Sequence, residues 1–99
     1  MTFVATATYY TKEGKDDAVA AILSEMTRIT RLEPGCVCYF ANRSRQDPRK
    51  FLLYEHYVDE EGYEAHKRSA AFLDKIMGSI VPMLEVRTPE LFTLIDPTE

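Results

Sequence analysis

The stretch Lys50-Phe51-Leu52-Leu53-Tyr54-Glu55-His56-Tyr57-Val58 decides the fold. Side chains on a strand alternate between its two faces, so Phe51, Leu53, Glu55 and Tyr57 share one face while Leu52, Tyr54 and His56 take the other. Both faces carry bulky groups. A single layer of helices covers only one face of an antiparallel sheet, so the second calls for cover from another subunit.

Upstream, Cys36 to Arg43 reads as the neighbouring strand, joined to this one by the polar turn around Asp47-Pro48 in an antiparallel hairpin. Arg43, Arg45, Arg49 and Lys50 flank that turn and read as a solvated hairpin tip, with a dedicated anion site as the alternative. Cys36 and Cys38 stand two apart, which on a regular strand aims both the same way. A bond between them would be strained, so both are expected as reduced thiols.

Further back, Thr2 to Tyr10 alternates Phe3, Ala5, Ala7 and Tyr9 with Thr2, Val4, Thr6 and Thr8, the pattern of a first strand. Asp16 and Asp17 then place negative charge at a helix start. Val19, Ile22, Leu23, Met26 and Ile29 mark the buried face of that helix, which is expected from about Asp16 to Leu32 and is stopped by Pro34 and Gly35.

Downstream, Asp59 is suited to cap a helical segment beginning near Glu60 that breaks near Ser69 and resumes to about Ile80. Pro82 and Pro89 bracket an expected loop, and Glu90 to Ile95 reads as the last strand. The order β-α-β-β-α-β is that of an α+β, ferredoxin-like split βαβ sandwich: a four-stranded antiparallel sheet with helices on one side.

Composition sets the frame around this order. The 99 residues, 45% hydrophobic, are expected to form one domain spanning 1–99. A chain of this size buries only roughly 60 to 65% of its unfolded surface, a thin margin that dimerisation would widen. The net charge of -4 speaks against a nucleic-acid or polybasic membrane-surface partner. Apolar runs fall far short of a membrane span and the N-terminus lacks signal-peptide features, so a cytoplasmic protein is expected.

His66 is the leading candidate for chemistry. Tyr63, His66, Ala70, Leu73, Met77 and Ile80 follow at steps of three or four, which is one helical face, and His66 therefore points inward. An inward imidazole either hydrogen-bonds to backbone as a core group or performs proton chemistry near neutral pH.

Taken in order, Glu33-Pro34-Gly35-Cys36, Tyr39, Asp47-Pro48, Phe51 to Glu55, Tyr57, Asp59, Ala65-His66 and Phe72 resemble the antibiotic biosynthesis monooxygenase domain family, in particular its quinol monooxygenase-like members. The resemblance implies a homodimeric α/β barrel, in which the uncovered faces of two sheets pack together and each subunit keeps a pocket between its sheet and helices. It also implies a cofactor-independent monooxygenase with no metal, whose partners are dioxygen and a small quinol or phenol. Such chemistry needs a base, a donor for the developing anion and a cavity that excludes water.

On this resemblance His66, Glu55 and Tyr57 are the candidate catalytic residues, and Tyr39, Phe51, Tyr63 and Phe72 the candidate substrate-binding residues. Each has a structural alternative, in core packing for the aromatics and in ion pairing or capping for Glu55. The haem-degrading members carry an Asn in the first strand, a Trp, and a His further along the second helical segment. This chain has Ala5, Thr6 and Ala7, then Tyr57, and no His beyond Phe72, which disfavours haem. A second reading, isomerisation of a small phosphorylated hydroxyketone, rests on similarity across Tyr54 to Asp59 and His66-Lys67, with Lys67 or Arg68 meeting the phosphate. A third is a ligand-binding dimer without catalysis.

Overall fold

The computed structural model describes residues 2–95. Its elements are β1 (Phe3–Thr11), α1 (Asp16–Thr30), β2 (Cys36–Arg43), β3 (Lys50–Tyr57), α2 (Glu60–Arg68), a π-type helix α3 (Phe72–Ile80) and β4 (Leu84–Thr93), with a short 3-10 turn at Val81–Met83 before the last strand. The strands form one antiparallel sheet in the order β2-β3-β1-β4. This is the ferredoxin-like α+β architecture expected from the element order.

The inner face of the sheet is built from β1 Ala7 and Tyr9, β2 Tyr39, and β3 Phe51 and Leu53, which pack with Val19, Leu23 and Met26 of α1 and Ile76 and Ile80 of α3. The buried stripe of α1 runs Val19, Leu23, Met26, Thr30. Ile29, expected inside, lies exposed on the flank of that stripe, because four-three-four steps from Val19 lead to Thr30 instead.

Four further expectations are corrected. First, the apolar stripe drawn through His66 does not continue beyond Ser69: Leu73 is 55% and Met77 41% exposed, while Phe72, Ile76 and Ile80 turn inward at steps of four. The extended backbone of Ser69, at ψ 149°, resets the helical phase, and the wider π-type turn that follows lengthens the repeat.

Second, the segment between Pro82 and Pro89 is no loop, since β4 already begins at Leu84 and runs through Pro89. Proline is tolerated because β4 is an edge strand, where a missing N–H costs no ladder bond. Third, this last strand ends at Thr93, short of the expected Ile95. Fourth, a register shift between Cys36 and Cys38 sets them opposite Tyr57 and His56, neighbours on opposite faces of β3, so the two unbridged cysteines do not point the same way.

Two glycines set the approach of α2 to the turn after α1. A Cβ on Gly35 would stand 2.8 Å from the Gly62 Cα, and one on Gly62 would stand 3.2 Å from the Gly35 carbonyl oxygen. The Gly35 carbonyl also accepts from the Val58 amide at 2.9 Å, tying the exit of β3 to the same turn. Gly35→Ala forces backbone apart and should cost about 1–3 kcal/mol, the range for overpacking. Urea denaturation checks this, and an unchanged midpoint would contradict the close contact.

Candidate active site

His66 is held at both ends of α2. At the N-terminus the Asp59 carboxylate accepts from the Gly62 amide at 2.9 Å, a side-chain cap that starts the helix where the sequence indicates. At the C-terminus both the amide and the hydroxyl of Ser69 donate to the His66 carbonyl, at 3.1 and 2.8 Å. The same hydroxyl accepts from the Phe72 amide at 3.1 Å, so one serine closes α2 and opens the next helical segment. The imidazole between these anchors is only 3% exposed.

Its two nitrogens face two carboxyl groups. Nδ1 lies 3.0 Å from Glu33 Oε1, and Nε2 lies 3.9 Å from Glu55 Oε1. With Glu33 as acceptor, Nδ1 carries the proton and Nε2 presents its lone pair toward Glu55 and the interior, an assignment made from the hydrogen-bond partner. Glu55 is engaged from the other side, since the Tyr57 hydroxyl donates to its Oε1 at 2.6 Å.

Burial dominates the titration of this group of side chains. It pushes the Glu55 carboxyl up to about 7; the Tyr57 hydrogen bond and Arg87 oppose that rise, and Glu33 adds to it. It also holds His66 below its ordinary value of 6.5, against the pull of Glu33. The Tyr57 and Tyr39 phenols are pushed well above their ordinary range by the same desolvation. Although Nε2 and Glu55 lie within ion-pair distance, both shifts favour the uncharged forms, so the contact is between a neutral imidazole and a carboxyl poised near neutrality.

A cavity of about 20 Å³ opens beside these groups, with Tyr39, Glu55, Tyr63, His66 and Phe72 among its walls. It has room for about one water. The Tyr39 hydroxyl is fully buried there without a hydrogen-bond partner. Rings surround the imidazole: Phe72 edge-on at 5.2 Å, Tyr57 at 5.5 Å and Tyr39 at 5.9 Å between centroids. A larger groove of about 430 Å³ lies elsewhere, between α1 and β2, and contains none of these buried titratable groups.

The structure thus brings His66, Glu55, Tyr57, Tyr39, Tyr63 and Phe72 together, and leaves Phe51 out. Phe51 packs in the core beside the large groove, with the Arg43 guanidinium 5.3 Å above its ring. His56 lies on the outer face, 2.9 Å from the Tyr54 hydroxyl, as strand parity requires. Lys67 and Arg68 are paired with Glu64 and Glu61 at 3.3 and 2.9 Å, which counts against their holding a phosphate. Among the described residues no group of three or more His, Cys, Asp or Glu converges as a metal site.

Two members of the site carry no local sign of their role. Glu33 stands in a Pro-Gly turn motif, 33 residues from His66. Arg87 sits in the segment expected to be a loop, yet it lines the cavity and lies opposite Tyr9 in the β1–β4 register. The alternation of β4 was the available signal, obscured by Pro89.

The Glu55 carboxyl makes a pH-dependent contribution of definite sign. Its folded value, about 7, lies above its ordinary 4.5, so the folded state binds the proton more tightly. The resulting stability is complete below pH about 4.5 and is lost as pH rises through about 7, a change on the order of 3 kcal/mol. His66 acts oppositely, its contribution being lost as pH falls below its ordinary 6.5. Glu55→Gln keeps an acceptor for Tyr57 and removes the charge. It should therefore gain on the wild type as pH rises from 5 to 8, in chemical denaturation; parallel stability curves would contradict a buried, proton-binding Glu55.

Comparison with known proteins bears on this arrangement. The sequence model of the antibiotic biosynthesis monooxygenase family matches residues 2–75. No curated protein shows significant sequence similarity to the chain. Among solved structures, protein SO0527 from Shewanella oneidensis is 30% identical, with a TM-score of 0.86 over 92% of this chain and 88% of its own. A Nitrosomonas europaea protein named for the antibiotic biosynthesis monooxygenases is 24% identical, with a TM-score of 0.91 over 99% and 94%. Rv0793 from Mycobacterium tuberculosis is 20% identical and superposes with a TM-score of 0.91 over the full length of both chains. The match over residues 2–75 spans β1 through α2 and into α3, every element that carries His66, Glu33, Glu55 and Tyr57, and the chain belongs to the antibiotic biosynthesis monooxygenase family.

Proposed function

We propose that this chain is a cofactor-independent monooxygenase of a small aromatic quinol or phenol, with His66 as the base. The observation that carries the reading is the imidazole itself: Nδ1 is fastened to Glu33 at 3.0 Å, and Nε2 is free to take a proton inside a buried, ring-walled cavity. Removal of the substrate's phenolic proton leaves an electron-rich anion able to pass an electron to dioxygen. The unpartnered Tyr39 hydroxyl is a donor for that anion. For a hydroquinone, one oxygen atom enters the ring to form a hydroxyquinone, and the other leaves as water with two substrate hydrogens.

An aromatic ring is far larger than the present cavity, so binding requires the half-buried Phe72 and Tyr63 to turn aside. Phe72 begins a π-type helix directly after the break at Ser69, and such helices recur at functional sites. The working unit is a homodimer, a reading supported by Phe40, Leu52, Tyr54 and Phe92, which are exposed on the sheet face that no helix among the described residues covers. Two cysteines that form no disulfide agree with a cytoplasmic setting, and no helix among the described residues is long and apolar enough to cross a membrane.

Oxygen uptake with hydroquinone, in the presence of a chelator and without flavin, should be measurable and should fall by roughly 100-fold in His66→Ala, the lower end for loss of a general base. Unchanged turnover removes His66 from the mechanism. Because the base must be neutral and burial holds its pKa below the ordinary 6.5, the rate should still exceed half its maximum at pH 6.5 and reach half only in more acid solution. A half-maximal point above 6.5 would contradict the assignment. Proton exchange next to the carbonyl of a phosphorylated hydroxyketone, with no oxygen uptake, would favour isomerisation instead.

Sedimentation at micromolar concentration should show a dimer. A second variant, Tyr54→Lys, places charge on the apolar sheet face and should shift the protein toward monomer. A stable wild-type monomer would contradict the barrel.

A further inference from the structure

The wall of the cavity contributed by β4 has no role in the chemistry described so far. Arg87 is the one cationic side chain among the described residues lining that cavity, and its outer part is exposed. Its guanidinium acts on the hydroxyl of Tyr9, the residue opposite it in register. No carboxylate among the described residues forms an ion pair with it, whereas Arg49, which also borders β4, is paired with Glu85 at 3.1 Å. Glu55, the cavity's own carboxyl group, feels the Arg87 charge but takes its hydrogen bond from Tyr57.

A guanidinium offers five N–H donors in a planar fork, and one neutral hydroxyl leaves most of that fork unused. Its natural complement is a carboxylate, held by two parallel hydrogen bonds. The cavity's other unsatisfied polar group is the Tyr39 hydroxyl, beside His66. The rest of the wall sets Ala5, Ala7, Leu53 and Phe72 beside Thr6 and the Glu55 carboxyl. A ligand that satisfies both polar groups carries a hydroxyl for Tyr39 and His66, a flat apolar body, and an anionic group for Arg87.

We infer that Arg87 is a specificity-determining residue, and that the substrate is an aromatic hydroxy acid whose carboxylate binds Arg87 while its hydroxyl meets Tyr39 and His66. This rests on the reading of the cavity as the substrate site, and it adds a substrate class that the position of His66 alone does not supply. The carboxylate takes no part in bond making. It orients the ring so that the phenolic proton faces Nε2.

The test is calorimetric titration of the intact protein with 4-hydroxybenzoate and with 4-hydroxybenzyl alcohol, which share the ring and hydroxyl and differ in charge. The acid should bind roughly tenfold tighter or better, the worth of about one charge-assisted pair. Arg87→Met should erase the preference and Arg87→Lys should keep part of it, both with wild-type thermal midpoints. Arg31→Gln, in the large α1–β2 groove, should leave it intact. Equal affinities, failure of both probes to bind, or a preference that survives Arg87→Met but vanishes in Arg31→Gln each overturns the assignment. Loss of the preference with hydroquinone oxidation intact would remove Arg87 alone. A carboxylate preference with no oxygen uptake from any phenol would instead leave the anion site standing and remove the monooxygenase reading.

Discussion

The contact between Gly35 and Gly62 is the constraint on which the site depends. The turn after α1 and the first turn of α2 approach so closely that neither position has room for a side chain, and the Gly35 carbonyl is already committed to the amide leaving β3. That approach places Glu33, two residues before one glycine, within hydrogen-bond distance of His66, four residues after the other. Without it the imidazole loses the partner that determines which nitrogen carries the proton.

Once His66 is fixed, desolvation governs the chemistry available. Glu55 and His66 are driven in opposite pKa directions by the same cause, loss of water around a charge, and arrive at uncharged forms near neutrality. Tyr57 moderates this by hydrogen-bonding Glu55, and its own phenol becomes still harder to ionise. A neutral imidazole beside a carboxyl poised near neutrality follows from burial and one strong hydrogen bond. The same burial disfavours a charged Glu55 above pH about 7 and so weakens the fold there.

The sheet distributes these demands between its faces. Its inner side carries the core and the buried titratable groups, with Arg87 at the open edge that β4 provides. Its outer side keeps aromatic and aliphatic groups exposed, which suits association with a second sheet. The break at Ser69 lets α2 aim His66 at the cavity while α3, in a different helical phase, delivers Phe72 to the same wall and Ile76 and Ile80 to the core.

Local physics made much of this legible in the chain alone. Alternation and turn chemistry located β2 and β3 with their antiparallel pairing, the capping propensity of Asp59 marked the start of α2, and the break fell at Ser69, near where it was expected. The inward aim of His66 and the shared face of Glu55 and Tyr57 were also legible, because strand and helix periodicities act over a few residues. What lay beyond reach depends on distant segments meeting. Glu33 joins His66 only through the glycine contact, Phe51 shares the inner face yet packs away from the cavity, and Leu73 and Met77 fall outside because a single extended residue rotates the helix after it. Arg87 entered the site through β4, which continues past a proline because its place at the sheet edge removes the need for that N–H. Sequence determined which residues could form each element and face inward; tertiary packing decided which of those inward groups share one desolvated space, since burial and hydrogen-bond geometry are properties of the assembled neighbours.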